Sequence, residues 1–356
     1  MDKLTVLKTE WLITRKCNFQ CGYCKVRNNE FPNELDLEGR KRVLDVISTV
    51  APKTAVVIFG GEPLTLGDDL VEVVRYGNQK ELYMIVISNS SKLDDVMLDK
   101  LYDAGLRNWS VSIDTIKGNT VDKWTLQRAK MGLDACLRAK KKGFNDLVTC
   151  TTVTKYNLAE LPEMTKQLTE MGIWSIHTLL QKAGPEYNYS QPYEMVKEHL
   201  VNDRELVRKI SHELYVMAKS GKYLMHNPPE YYLLWEDALE NNIKCSTKST
   251  LTVDADGSLM RCVDCYNGLN KFKVFDLLDE NKVKEYIEEL KKPPSCSRGS
   301  FWDPCIGTTI INELYGSDLG KAAYKHEVGF EKLEEISGQK VDIDKIKALF
   351  EWNKVI

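Results

Sequence analysis

Three cysteines fall within eight residues in "RKCNFQCGYCKVR", residues 15–27. Three residues separate Cys17 from Cys21, and two separate Cys21 from Cys24. Thiolates at this spacing ligate metals, and a closed zinc site usually sets a second Cys/His pair against the first. No obvious fourth partner follows within the next hundred residues. Three thiolates on a four-iron cluster leave one iron open to an outside ligand. A second group comprises Cys245, Cys262, Cys265, Cys296 and Cys305. Cys136 and Cys150 stand apart, in a helical and a strand pattern, and are expected as small buried apolar residues.

The first cysteine loop follows a run that reads as a strand, "KTEWLIT" (8–14). Helical and strand patterns then alternate. Helices are expected over 35–51, 66–77, 92–105, 122–144 and 157–172, and strands over 54–60, 82–89, 107–114, 146–154 and 173–181. Six strands alternating with helices build a parallel sheet with helices outside. Either a doubly wound sheet or an incomplete barrel fits, and both place working groups at the C-terminal ends of the strands. The alternation stops after residue 182. Residues 194–221 and 228–242 read as helical, and "TLTVDADGSLM" (250–260) as a β-hairpin. The expected segments are a core over 1–184, a helical connection over 185–242, a small hairpin-containing domain over 243–310 and a helical tail over 311–356.

The chain has 356 residues and a net charge of −3, which gives no support for a nucleic-acid or membrane-surface protein. No apolar run reaches the length of a membrane span, and charges interrupt the N-terminal apolar stretch where a signal peptide would need continuity. A cytoplasmic location is the default expectation. In that reducing compartment the ten cysteines are expected as thiols or metal ligands rather than disulfides.

The loop at Cys17, Cys21 and Cys24, with Tyr23 before the third cysteine, resembles the signature of the radical S-adenosylmethionine (radical SAM) superfamily. The resemblance covers residues 8 to about 184 and implies a partial (β/α)6 TIM-like barrel. It also implies a [4Fe-4S] cluster on these three cysteines, whose open iron binds SAM and whose electron yields a 5′-deoxyadenosyl radical. A donor such as flavodoxin or ferredoxin is the implied source of that electron. "FGGEP" (59–63) looks like the family's GGEP motif, which makes Gly60, Gly61, Glu62 and Pro63 expected contacts of the SAM methionine. Further strand endings resemble family positions around the same molecule. They are Ser88 and Asn89, then Ser112 and Asp114 for the ribose hydroxyls, then Asn157, with Leu179 or Gln181 beside adenine.

Eleven residues separate Cys245 from Gly257, and four separate Gly257 from Cys262. This spacing is similar to the opening of SPASM and twitch auxiliary-cluster domains, with Gly257 supplying a positive φ in the hairpin turn. The full SPASM pattern has seven cysteines, whereas five are present here. One auxiliary [4Fe-4S] cluster is therefore the implied complement. Its preferred ligands are Cys245, Cys262, Cys296 and Cys305, with an exchange of Cys265 for one of the later two left open. A zinc site on the same cysteines is the bland alternative.

The implied chemistry is hydrogen abstraction from a peptide or protein side chain or a small metabolite, with the auxiliary cluster taking an electron or orienting the substrate. A redox-neutral epimerase or dehydratase on a sugar, aminocyclitol or nucleoside is the alternative, and a zinc-stabilised α/β binding protein is the alternative of another class. Cys265 as a hydrogen-atom donor, and His177 and Tyr187 as acid–base groups, are the candidate catalytic side chains. The aromatics Tyr187, Tyr189, Tyr193, Tyr223, Tyr231, Tyr232 and Trp235 would line a substrate cleft or simply pack. Only about seven residues precede the first strand, which counts against an N-terminal peptide-binding module and so against a leader-peptide substrate.

Overall fold

A computed structural model describes residues 6–24, 33–118, 123–180, 196–239, 250–261, 269–292, Tyr315 and 332–338. Eight strands form one sheet in the order β6-β5-β4-β3-β2-β1-β7-β8. They are β1 Lys8–Thr14, β2 Ala55–Gly60, β3 Tyr83–Ser88, β4 Asn108–Ser112, β5 Asp146–Val153, β6 Trp174–Leu179, β7 Thr250–Val253 and β8 Leu259–Met260. All neighbours pair in parallel except β7 and β8. The sheet is an open, partial TIM-like barrel.

The crossovers carry α1 Leu37–Val50, α2 Asp68–Gln79, α3 Asp95–Asp103, α4 Lys123–Lys142 and α5 Leu161–Glu170. Local chemistry fixes where these helices begin. Asp36 accepts from Gly39 N ahead of α1, and Asp94 accepts from Met97 N ahead of α3. Each side chain satisfies an amide that the first helical turn leaves open. The expected helix at 66–77 begins later, because a 3-10 turn, Pro63–Leu66, and Gly67 at φ +58 intervene. The expected helix at 157–172 likewise starts with a 3-10 turn at Leu158–Glu160.

Period-two alternation sorts the strand residues between two faces. Trp11, Ile13, Val56, Ile58, Val86, Trp109 and Val111 join the core. The alternate residues, among them Glu10, Val57, Ile85, Ser110 and Cys150, line the concave face. Cys136 is fully buried in the core as expected, but Cys150 faces the lumen rather than packing as an apolar filler.

Beyond β6 lie α6 Arg204–Lys219, α7 Pro229–Leu233, α8 Trp235–Leu239, α9 Glu280–Lys291 and α10 Leu333–Ser337. Tyr231, Tyr232 and Trp235 are fully buried against one another, and Tyr223 packs on the same core. These four aromatics build the core instead of a cleft, while Tyr189 and Tyr193 lie outside the described residues. The hairpin forms where expected, with Gly257 at φ +80. It does not stand in a sheet of its own, because β7 pairs with β1 and extends the core sheet. The boundary expected near residue 243 itself falls outside the described residues, as does most of the expected tail. Among the described residues, no helix is long and apolar enough to cross a membrane.

Candidate active site

The cysteine loop leaves β1 at the C-terminal face of the sheet. Its first residues are held by the next strand crossover. Gly61 N donates to Thr14 O at 2.7 Å, and Glu62 N donates to Lys16 O at 2.7 Å. A Cβ on Gly60 would lie 2.1 Å from Thr14 O, and one on Gly61 would lie 2.1 Å from Lys16 O. The two glycines therefore let β2 run against the root of the cysteine loop. Glu34 adds a second hold, with its carboxylate accepting from Thr14 Oγ1 and Arg15 N. Arg15 in turn forms a buried ion pair with Asp254, at the turn of the β7–β8 hairpin. The hairpin thus braces the loop from the other side.

Cys17, Cys21 and Cys24 line one cavity of about 250 Å³ together with Phe19 and Tyr23. Cys21 is buried, and Cys17 and Cys24 are half-buried. Cys24 N donates to Cys21 O, which turns the loop back on itself. Burial pushes the Cys17 thiol up to about 11. Among the described residues, no three His, Cys, Asp or Glu side chains are gathered closely enough to hold a single metal ion. The three cysteines instead share a roomy cavity, and their loop keeps each one at its wall.

Four elements meet the loop at that cavity. Gly60, Gly61, Ser88, Asn89 and Ser112 line it, as sequence reasoning placed them. Glu62 does not. Its carboxylate is fully buried and accepts from Leu64 N, Ser88 Oγ and Asn89 N, so it fastens the end of β3 to the turn after β2. Burial holds its proton affinity above the usual glutamate value. Pro63 opens the 3-10 turn and is buried beside it.

Asp114 is likewise engaged within the protein. It accepts from Arg128, Tyr23 Oη and Thr152 N. A ribose contact would have to displace part of that set. Arg128, on α4, also donates to Tyr23 Oη and, at 3.2 Å, to Cys21 Sγ. Burial keeps Tyr23 a neutral phenol. The Arg128 contact escaped sequence reasoning, because its partners lie 14 and more than 100 residues away. Asn157 caps its own loop, donating to Asp114 O and Thr152 O and accepting from Thr154 N.

Two expected site residues on β6 point away from the cavity. His177 is fully buried on the helix side, between Tyr232 Oη at 2.9 Å and Thr165 Oγ1 at 3.3 Å. Burial depresses its proton affinity to about 3, so it is a neutral core histidine and not an acid–base group at the mouth. Leu179 shares that face and packs in the core. Strand alternation gives the lumen to Ile176 and Thr178 instead. Gln181, Tyr187, Cys245, Cys262, Cys265, Cys296 and Cys305 lie outside the described residues.

The donor set suits the cofactors of the superfamily it resembles. Three thiols surround a cavity at the C-terminal sheet face, and backbone and hydroxyl groups from β2, β3 and β4 lie beside them. Residues 11–168 match the family profile described as the Radical SAM superfamily. The chain is 26% identical, over 252 residues, to an AdoMet-dependent heme synthase of Methanosarcina barkeri, covering 67% of each chain. It is 31% identical, over 166 residues, to an Fe-coproporphyrin III synthase of the same organism, covering 45% of this chain and 40% of that one. Among solved structures, Streptococcus suis SuiB bound to S-adenosylmethionine aligns with a TM-score of 0.60 at 14% identity, covering 80% of this chain and 66% of that one. The last likeness is one of fold.

Proposed function

We propose that this chain, which belongs to the radical SAM superfamily through residues 11–168, is an enzyme that reductively cleaves SAM and takes a hydrogen atom from a substrate bound in the barrel lumen. The observation that carries the reading is the opening of Cys17, Cys21 and Cys24 onto a single cavity continuous with that lumen. When bound, a [4Fe-4S] cluster and SAM supply a 5′-deoxyadenosyl radical, and the protein's task is to position and shield. Cys17, Cys21 and Cys24 would hold the cluster. Gly60, Gly61, Ser88, Asn89 and Ser112 would hold SAM across the strand ends. Arg128 supports the site by fixing Tyr23, Asp114 and the Cys21 sulfur in one buried arrangement. Apolar Phe19 and Leu200 pack around the loop and keep water from it.

The substrate is a peptide side chain or a small metabolite, and the electron comes from a donor such as flavodoxin or ferredoxin. An auxiliary cluster on Cys245, Cys262, Cys296 and Cys305, with Cys265 in reserve, belongs to the same proposal and rests on their spacing alone. The test is anaerobic reconstitution followed by iron analysis and reduction with SAM present. About eight irons per chain are expected if both clusters form and about four if only the first does. Reduction should release 5′-deoxyadenosine, and Cys21→Ala should abolish that release. A fully loaded, reduced sample that yields none would overturn the enzyme reading.

A further inference from the structure

The cavity below the cysteine loop has a polar floor. Lys8 and Glu10 project into it from β1, and Asn108 and Ser110 from β4. Glu10 stands opposite Val57, Val57 opposite Ile85, and Ile85 opposite Asn108, so Glu10 and Asn108 share one level of the sheet. Glu10 is 1% exposed and Asn108 is 3% exposed. One Glu10 oxygen meets Lys8 Nζ at 3.1 Å, and the other has no hydrogen-bond partner. Asn108 accepts from Ser110 Oγ through its carbonyl, and among the described residues its amide NH2 donates to nothing. A buried acceptor without a partner and an amide donor thus line one cavity. Leaving the Glu10 oxygen unmet costs about 1–3 kcal/mol, which a guest with a donor at this floor would relieve.

Val57 and Ile85 lie between Glu10 and Asn108 at the floor's own level, and Phe59, Ile87, Val148 and Ile176 give the wall above it an apolar stretch. Thr14 at the mouth lies four residue steps along β1 from Glu10, or about 13 Å at roughly 3.3 Å per residue. A guest anchored on the floor would therefore reach the cysteine level if it were about two rings long.

We infer that Glu10 and Asn108 anchor the polar head of a small-molecule substrate, one that carries an N–H donor beside a carbonyl acceptor, as in an amide or lactam edge, on an otherwise largely apolar body. Glu10 takes the donor and Asn108 gives to the acceptor. Lys8 orients Glu10 through their ion pair. A peptide side chain entering from the mouth would need the same amide end to satisfy this floor. Calling this guest the substrate rests on the radical SAM reading above; the binding site itself does not.

The test uses the cluster-loaded full chain, oxidised and held anaerobically, with 2-pyridone as the probe and N-methyl-2-pyridone as its donor-free control. Ligand-observed saturation-transfer NMR should detect 2-pyridone and detect the control at least about tenfold more weakly, the ratio of one charge-assisted hydrogen bond. Glu10→Leu should remove the preference, and Asn108→Leu, which takes away the donor to the carbonyl that both probes carry, should weaken both. If Glu10→Leu fails to fold because the Lys8 ion pair is broken, the double variant Lys8→Met/Glu10→Leu carries the same prediction. Equal binding of both probes, absence of binding to the wild type, an unchanged preference in the folded Glu10 variants, or undiminished binding in folded Asn108→Leu would overturn the inference. The wild-type preparation, assayed for 5′-deoxyadenosine release with no probe present, reports separately on the reaction. A failure there with an intact 2-pyridone preference would sink the radical reading and leave the pocket standing.

Discussion

Replacing Asp254 by alanine should release the cysteine loop from its hairpin brace. The Arg15 side chain is 7% exposed and that of Asp254 is 0% exposed, and two guanidinium nitrogens meet the two carboxylate oxygens. A pair this dry gains little over an apolar substitute of equal volume, because desolvation offsets most of the attraction. Breaking it is another matter, since buried Arg15 then loses the carboxylate that meets two of its nitrogens. The cost of removing one partner from a buried pair is about 3–5 kcal/mol. Ala255 N also loses its acceptor, Asp254 Oδ1 at 2.7 Å. At about 2 °C per kcal/mol, the expected fall in melting temperature is roughly 6–10 °C. Because Arg15 sits two residues before Cys17, iron retention should fall as well. The assay is an anaerobic thermal melt by circular dichroism with iron counted on the same samples. The double variant Arg15→Met/Asp254→Leu should recover most of the lost stability. A single-variant loss below about 2 °C, or a double variant as unstable as the single, would refute the argument that charge burial sets this cost.

Gly61→Ala should fold poorly or lose iron, since the added Cβ would meet Lys16 O at 2.1 Å and the contact is backbone on both sides; iron per chain after reconstitution reads the effect, and a normal iron content would contradict it. Glu62→Gln turns an acceptor-only group into one that must present NH2 to at least one of the donors Leu64 N, Ser88 Oγ and Asn89 N. The expected cost is about 1–3 kcal/mol in urea unfolding without SAM. His177 titrates at about 3 when folded and at its ordinary 6.5 when unfolded, so the unfolded chain binds the extra proton between those values. Its contribution is intact above pH 6.5 and is lost as the pH falls towards 3, reaching about 2–3 kcal/mol near pH 4.5. The variant His177→Gln should lack that portion of the acid sensitivity when both proteins are melted across pH 4.5–7.

The alternating core was legible because each of its elements satisfies a local rule. β1 occupies 8–14 as read, since a run of seven residues buried on both faces has no other period to obey. Helix starts moved wherever a 3-10 turn came first, as at Pro63–Leu66, because sequence period does not distinguish one tight turn from the first turn of a helix. The hairpin was found from "DADG", but its place beside β1 was not. That pairing joins residues about 240 apart, and nothing in either four-residue run names its neighbour.

For the site, motif position was informative and side-chain direction was not. Strand endings put Ser88, Asn89 and Ser112 at the cavity because a strand end always reaches the mouth. His177 and Leu179 failed on parity, since a one-residue step along β6 exchanges lumen for core. The glycines of "GGEP" invited a ligand-contact reading, and they do line the cavity. Their tightest constraint, however, is the backbone of Thr14 and Lys16. The same holds for Glu62 and Asp114, whose carboxylates are spent on protein donors. A motif residue can thus be indispensable to a cofactor site by shaping the loop that holds the ligand groups. The second Glu10 oxygen, which is left unmet, and the Asn108 amide beside the same cavity carry no motif at all. They become visible only when register places them at one level of the lumen.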